Sequence, residues 1–328
     1  MKQLKQVQSN TLVPFLKPSN FNSLGYSTLY EDWLALFPSA KTVRVYRQAI
    51  SEFFSFICES GLNPDILAQF LLLEQPQASE LVYQYQGWLT SKSLAPATIN
   101  RKLASIKSLV NYGAEVGKCH YTLTNIKSKN VINYRDTSGI GSDSFKLILN
   151  QVDRTTIRGK RDYAILLLLW GNALRRSEVT NCRLCDYEPL EKRLWIVGKG
   201  RKGQSQPVSL GVSTINALNE WICAIRDFSS LPEYLFFALI EHHWGHQLTP
   251  ESIYYLVRKY ANKAGILKQL SPHRLRHSAI TAALEITNGD VRAVQKLSRH
   301  SSLNTLMVYD DNRRNEQGRV TDMLEDLL

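Results

Sequence analysis

The sequence predicts a mainly α protein in two parts: an all-helical first domain, and a second helical domain that holds one small antiparallel sheet. Three observations carry this expectation. Apolar residues recur at helical spacing through most of the 328 residues. One stretch alone, "RLWIVGKGRKGQSQPVSL" from Arg193 to Leu210, alternates around glycines in the manner of a β-hairpin. A polar, basic stretch that opens with "YTLTNIKSKN" at Tyr121 and ends among glycines near residue 142 has the composition of a linker.

The elements follow in order. Residues 1–25, with Pro14, Pro18 and scattered Ser and Asn, read as an extended leader. From Thr42 a helix is predicted, because Tyr46, Ile50, Phe53, Phe54 and Ile57 fall on one face; Gly61 and Asn63-Pro64 mark its end. The same period makes the aromatic stripe Tyr46, Phe53, Phe54 core rather than a platform for stacking bases. A second helix carries Leu81, Val82, Tyr85, Trp88 and Leu89, and a third turns Ile99, Leu103, Ile106 and Val110 inward, with Thr98, Arg101, Lys102 and Ser105 on its opposite face. The first domain is thus expected over 26–120, a linker or strand-like connector over 121–142, and the second domain over 143–328. In that second part "AILLLLW" (Ala164 to Trp170) reads as a buried helix, and helices return at Ser213, Thr249 and Ser271. At the end, "RVTDMLEDLL" places Val320, Met323, Leu324, Leu327 and Leu328 on one stripe with acids opposite. A helix so short needs a docking surface on its own domain or on a neighbour.

Composition narrows the function. No apolar run approaches the ~20 residues that span a bilayer, and "MKQLKQVQSN" has no signal-peptide core, so a cytoplasmic, nucleoid-associated protein is expected. Five cysteines make no disulfide scaffold. The net charge is +11, and Lys and Arg outnumber Asp and Glu by 16 to 8 within residues 121–210, against 11 to 8 before and 13 to 13 after. An excess concentrated mid-chain points to a polyanionic partner, nucleic acid before a membrane surface.

Two motifs carry chemistry. In "SPHRLRHS" (Ser271 to Ser278), Ser271 is a good N-cap and Pro272 a good first helical residue. His273 and Arg276 then share one helix face, and His273 and His277 have the i,i+4 spacing of a zinc pair. Arg274 and Arg276 beside those imidazoles disfavour a cation. A phosphate at the helix N-terminus and a plain surface helix with His277 packed inward both fit the stretch. In "NALRRSEV" (Asn172 to Val179) an Arg-Arg pair follows the buried run, which calls for an anionic partner: Glu178, or a phosphate. "CRLC" (Cys182 to Cys185) and "HHWGH" (His242 to His246) have ligand-like residues but no second CxxC, and no metal site is expected.

Taken with "VGKGRK" (Val197 to Lys202) and "SRHSSLNTLMVY" (Ser298 to Tyr309), these motifs resemble the tyrosine recombinases of the phage-integrase and Xer type. Order and spacing agree over roughly residues 25–328, including the nine positions from His300 to Tyr309. The resemblance implies a SAM-like core-binding domain followed by an α+β catalytic domain. It implies cleavage and rejoining of DNA through a 3′-phosphotyrosine at Tyr309, with Arg175 and Arg276 as phosphate clamps. His273 would be base or orienter, His300 a second donor to the phosphate, Lys199 the acid for the departing 5′-oxygen, and Glu178 the support behind them. The chemistry suits these types, since arginine matches the extra charge on a five-coordinate phosphorus and a phenol of pKa about 10 needs help to attack. No metal or other cofactor is implied, because the phosphotyrosine conserves the bond energy. Departures are Arg176 where an apolar residue is usual, and Ala173 and Arg299 where glycines are common.

By the same resemblance, both domains would clamp double-stranded DNA in a C shape. Candidate contacts are Arg44, Arg47, Thr98, Arg101, Lys102 and Lys107 in the first domain, and Arg201, Lys202 and Arg274 in the second. A homo-tetramer on two DNA sites, monomer or dimer without DNA, would form through the helix Val320–Leu328, with no membrane partner. Alternatives are a type IB topoisomerase-like relaxing enzyme and a non-catalytic DNA-binding regulator that keeps the fold.

Overall fold

The computed structural model describes residues 25–131, 139–198, 204–228, 231–300, 302–303, 306–307 and 316–327. The chain divides into two compact units, 1–133 and 134–328.

The first unit is built from α1 (Leu29–Ala35), α2 (Ala40–Ile57), α3 (Pro64–Leu71), α4 (Gln75–Ser91) and α5 (Pro96–Glu115). Their starts are written in short-range chemistry. Ser39 caps α2 by accepting from the Thr42 N–H, Asn63 caps α3 through the Ile66 N–H at 3.0 Å, and proline occupies the first turn of α3, α4 and α5. Helix α2 stops at Ile57, before Gly61, which instead turns the following loop at φ +65°. Phe53 sits at the middle of the core, edge-on to Phe54, Phe70 and Tyr85 with centroids 5.2–5.4 Å apart. The expected aromatic stripe is therefore core, with Tyr46 stacked on Trp33 at its border.

Two features differ from expectation. Ser105 is fully buried in α5 and not on its polar face; its hydroxyl donates to the Lys102 carbonyl 2.7 Å away, which is how a small polar residue is accommodated inside. The linker composition after α5 conceals core residues: Tyr121, Leu123 and Ile126 are buried in the first unit. Residues 121–131 form an extended strap, outside any named strand. Side chains take up several of its backbone groups: Asn100 bonds Lys129 both ways at 2.7 and 2.8 Å, Gln86 donates to Lys127, Tyr83 to Asn125, and Lys107 to the Ile126 carbonyl. The Tyr121 hydroxyl closes on the Phe70 carbonyl at 2.6 Å. A chain lacking a ladder partner must satisfy its N–H and C=O groups in another way, and polar side chains of α4 and α5 do so. The expected leader, and residues 132–138 of the expected linker, lie outside the described residues.

The second unit packs α6 (Ser142–Asn150), α7 (Ile157–Gly171), α8 (Arg176–Asn181), α9 (Val212–Ile225), α10 (Pro250–Lys263), α11 (Pro272–Ile286) and α12 (Val291–Ser298) around one sheet, with α13 (Glu316–Glu325) last. The apolar run becomes α7, whose Ala164, Ile165, Leu166, Leu168 and Leu169 are buried between α9 and α11. Strands β1 (Tyr187–Glu188), β2 (Arg193–Val197) and β3 (Ser205–Ser209) form an antiparallel sheet in that order, with Leu194 paired to Val208 and Ile196 to Gln206. Leu194, Ile196 and Val208 face the core, as alternation requires. Pro207 is tolerated because β3 is an edge strand. Gly139 lies against α11 so closely that a Cβ there would stand 2.6 Å from the Ser278 Cα. The Ser278 hydroxyl accepts from the Ile140 N–H at 2.8 Å, locking the start of this unit to the helix that bears His273 and Arg276. No helix among the described residues is long and apolar enough to cross a membrane.

Candidate active site

Four segments of the second unit converge on one cleft of about 510 Å³, lined by Arg175, Arg176, Ser177, Tyr254, Ser271, Pro272, His273, Arg276 and His300. Helix α11 begins as its sequence dictates: Ser271 caps through the Arg274 N–H at 3.2 Å, and Pro272 fills the first turn. The next turns therefore project His273 and Arg276 from the positive end of the helix dipole. Arg175 stands at the start of α8, and His300 just beyond α12.

Arg276 is buried, yet both its Nη groups are anchored on backbone carbonyls, Nη1 on Ala173 and Nη2 on Ser298. Carbonyl acceptors fix a guanidinium in place without themselves carrying a neutralising charge. His300 lies 3.5 Å from Arg276 Nη2, with its Nδ1 3.1 Å from the Ser298 hydroxyl. Burial first, then the neighbouring Arg276, Arg175, Arg299 and His273, push the His300 imidazole from its ordinary 6.5 down to about 4. It is neutral at pH 7 and keeps one N–H to donate.

Glu178 supports the other arginine. Its carboxylate is 1% exposed and accepts from the Arg175 backbone N–H at 2.8 Å and Arg175 Nη1 at 2.6 Å. It also accepts from Arg299 Nη2 at 3.0 Å. Burial alone would raise this carboxyl; Arg299 and Arg175 together outweigh it and hold the group below its ordinary value. Arg299 further donates to the carbonyls of Asn172, Leu297 and Ala173 at 3.1, 2.6 and 3.1 Å. Ala173 and Arg299, the two residues standing where glycines were expected, have left-handed backbones at φ +45° and +57°. That conformation costs a side-chain-bearing residue about 1–2 kcal/mol. Breaking a buried ion pair by removing one partner costs about 3–5 kcal/mol, so the Arg299–Glu178 contact outweighs the strain at Arg299.

His277 is buried and differs from a plain packed neighbour. Its Nε2 lies 2.7 Å from Nε2 of His273, and the rings meet edge to face at 4.0 Å. Two nitrogens at that separation share a single proton, so the tautomer of each ring is tied to the other. Among the described residues no three His, Cys, Asp or Glu side chains stand together as metal ligands. Cys182 is buried, its thiol pushed up by burial, and His243 and His246 lie side by side at 5.7 Å in the loop after α9.

Arg175, His273, Arg276 and His300 are thus brought to one place. Lys199, Arg201, Lys202 and Tyr309 lie outside the described residues. Arg176, weighed as a competitor of Arg175, also lines the cleft but reaches toward the Pro250 carbonyl at 3.5 Å. Arg274 turns back to the Gln269 carbonyl. In the first unit Arg47 forms a two-pronged pair with Glu31, Lys102 pairs with Glu52, and Lys107 holds the strap; Arg44 and Arg101 are exposed and Thr98 is half-buried. Sequence reasoning missed Tyr254, which reaches the cleft from α10, and the carbonyls that anchor Arg276. Neither has a motif. The His273–His277 spacing is visible in the sequence as that of a zinc pair, but the direct contact of the two imidazoles is not.

A family model described as the phage integrase family matches residues 140–316. A tyrosine recombinase of Synechocystis sp. is 48% identical over 311 residues, 95% of this chain and 98% of that one. A tyrosine recombinase of Synechococcus elongatus is 43% identical over 290 residues, 88% and 90% of the two chains. In structure, the XerH site-specific recombinase bound to palindromic difH substrate in a post-cleavage complex matches with a TM-score of 0.64 at 17% identity, covering 94% of this chain and 99% of that one. A lambda integrase tetramer bound to a Holliday junction matches with a TM-score of 0.63 at 12% identity, covering 88% and 77%. The structural matches speak for the fold, and the two sequence relatives with the family model for kinship. Four motifs in order, a mainly helical fold with one small sheet and these relatives agree: the chain belongs to the phage integrase family, and is a tyrosine recombinase, an enzyme of site-specific DNA breaking and rejoining.

Proposed function

We propose that the protein exchanges strands between two specific DNA sites through a 3′-phosphotyrosine at Tyr309. The observation that carries this reading is the cleft itself: Arg175, His273, Arg276 and His300, from three separate segments, line one volume. Arg175 and Arg276 grip the non-bridging oxygens, whose charge grows as phosphorus becomes five-coordinate. His300, neutral, donates to the same group. The Tyr309 oxygen attacks in line and loses its proton toward His273, while the bond from phosphorus to the 5′-oxygen breaks and Lys199 protonates that oxygen. Religation reverses each transfer on a new strand. The roles of Tyr309 and Lys199 rest on the family resemblance alone.

Around this core, Arg44, Thr98 and Arg101 are proposed as phosphate contacts of the first unit, with Arg274, Arg201 and Lys202 in the second. Assembly as a tetramer on two sites is supported by the exposed apolar residues of α13 and the turn after it, where Val320, Met323, Leu324 and Leu327 are 54–81% exposed. The lambda integrase tetramer bound to a Holliday junction offers a precedent on this fold.

A nicked suicide substrate that traps the covalent complex tests the proposal. An adduct is expected with the wild type and none with Tyr309→Phe. An adduct that survives Tyr309→Phe overturns the assignment. Relaxation of supercoils without exchange between two sites would identify the topoisomerase-like alternative.

A further inference from the structure

We propose that Arg299 is a positioning residue for strand cleavage: its guanidinium, seated between Glu178 and three backbone carbonyls, fixes the carboxylate that presents Arg175 to the cleft. The inference rests on the reading of Arg175 as a phosphate clamp.

Arg299 does not line the cleft, and its side chain is 7% exposed. It occupies the left-handed position that ends α12, where a glycine would be unstrained. That choice of residue is explained by what the side chain reaches. It joins the 172–175 turn, through the Asn172 and Ala173 carbonyls, to the Leu297 carbonyl at the end of α12 and to the Glu178 carboxylate in α8. Arg276 anchors on the same two places, the Ala173 and Ser298 carbonyls. The two clamps are therefore referenced to one another through a residue that touches neither the cleft nor its contents. Glu178 divides its oxygens accordingly: Oε1 takes Arg175 Nη1, and Oε2 takes Arg299 and the Arg175 backbone N–H. Without Arg299, Oε2 loses a cation, and the carboxylate is free to rotate and to pair more fully with Arg175. A clamp displaced by an ångström, or neutralised more closely by its own support, binds the transition state less well.

The test is single-turnover cleavage of a suicide substrate by the full chain, with DNA affinity and melting temperature measured alongside. Arg299→Gly is expected to slow cleavage roughly 10- to 100-fold while DNA affinity at fixed salt changes little. Millimolar guanidinium should restore part of the rate to Arg299→Gly. In an Arg175→Lys background, Arg299→Gly should add almost no further loss, because both act through the same clamp. A merely structural role would slow both backgrounds alike, whatever the melting temperature. Equal slowing in the two backgrounds, or wild-type cleavage by Arg299→Gly, overturns the inference. If Arg175→Ala itself cleaves at the wild-type rate, the reading beneath it fails instead. Arg299→Lys, which keeps the charge but cannot reach all four acceptors, enters the same cycle if the glycine variant does not fold.

Discussion

The two units hold cations in opposite ways. In the first, basic side chains on helices α2 and α5 are absorbed by their own surroundings: Arg47 by Glu31, Lys102 by Glu52, Lys107 by a strap carbonyl. In the second, Arg276 is anchored on two carbonyls, Arg175 shares one carboxylate with Arg299, and both arginines line one cleft. The difference teaches that the role of a basic residue follows from where its partners hold it: Arg47, Lys102 and Lys107 are tied to their own unit, whereas Arg175 and Arg276 are fixed at the wall of a cleft.

The sharpest way to break this contrast is at Arg276. Arg276→Ala should cut single-turnover cleavage by roughly 10³-fold or more, and a much smaller loss would show that the cleft does not act on phosphate. Next comes the imidazole pair. His277→Leu removes the group that shares a proton with His273 and should slow cleavage roughly 10²-fold. His277→Gln, which keeps an amide donor and acceptor, should recover most of that, and nitrogen NMR of labelled histidines should show the His273 tautomer change only with leucine. A smaller effect separates the basic residues of the first unit. Arg44→Ala and Arg101→Ala should each lower the salt dependence of DNA affinity by about one counterion. Lys107→Met should leave that slope alone and cost about 1 kcal/mol of stability as the strap loses a donor. Equal slopes for all three would erase the distinction between tied and exposed basic residues.

The mildest test uses acid. The folded-state pKa of His300, about 4, lies below its ordinary 6.5, so between those values the unfolded chain binds more protons. Stability from this group is fully present above about pH 6.5 and is lost as pH falls toward 4. Glu178, also lowered, gives the same sign at lower pH, since its contribution is present above its ordinary 4.5 and lost on acidification through its folded value. Denaturant unfolding of His300→Gln should show a flatter stability curve across pH 4–6.5 than the wild type.

Much of this was legible from residues alone. Apolar period located α2, α4, α5 and α7, and Ser271-Pro272 predicted the start of the helix that aims His273 and Arg276. What escaped has a common physical cause. Tyr121, Leu123 and Ile126 are core residues set among Thr, Asn and Lys, because the strap buries these three side chains and leaves most of the polar ones between them exposed. Ser105 passed for surface because a serine can satisfy its own hydroxyl within the preceding turn. The anchoring of Arg276 uses carbonyls, which every residue owns and no sequence pattern marks.

The strap has a practical consequence for dissecting the protein. A fragment ended at residue 120, where composition changes, would strip Tyr121, Leu123 and Ile126 from their hydrophobic seat and expose the Phe70 carbonyl and the Asn100 amide to water. One ended at residue 131 keeps every one of those contacts. The stable proteolytic core of the amino-terminal half should therefore finish some ten residues beyond the place where the sequence first turns polar, with Lys127 and Lys129 resisting trypsin although both are basic and near the boundary.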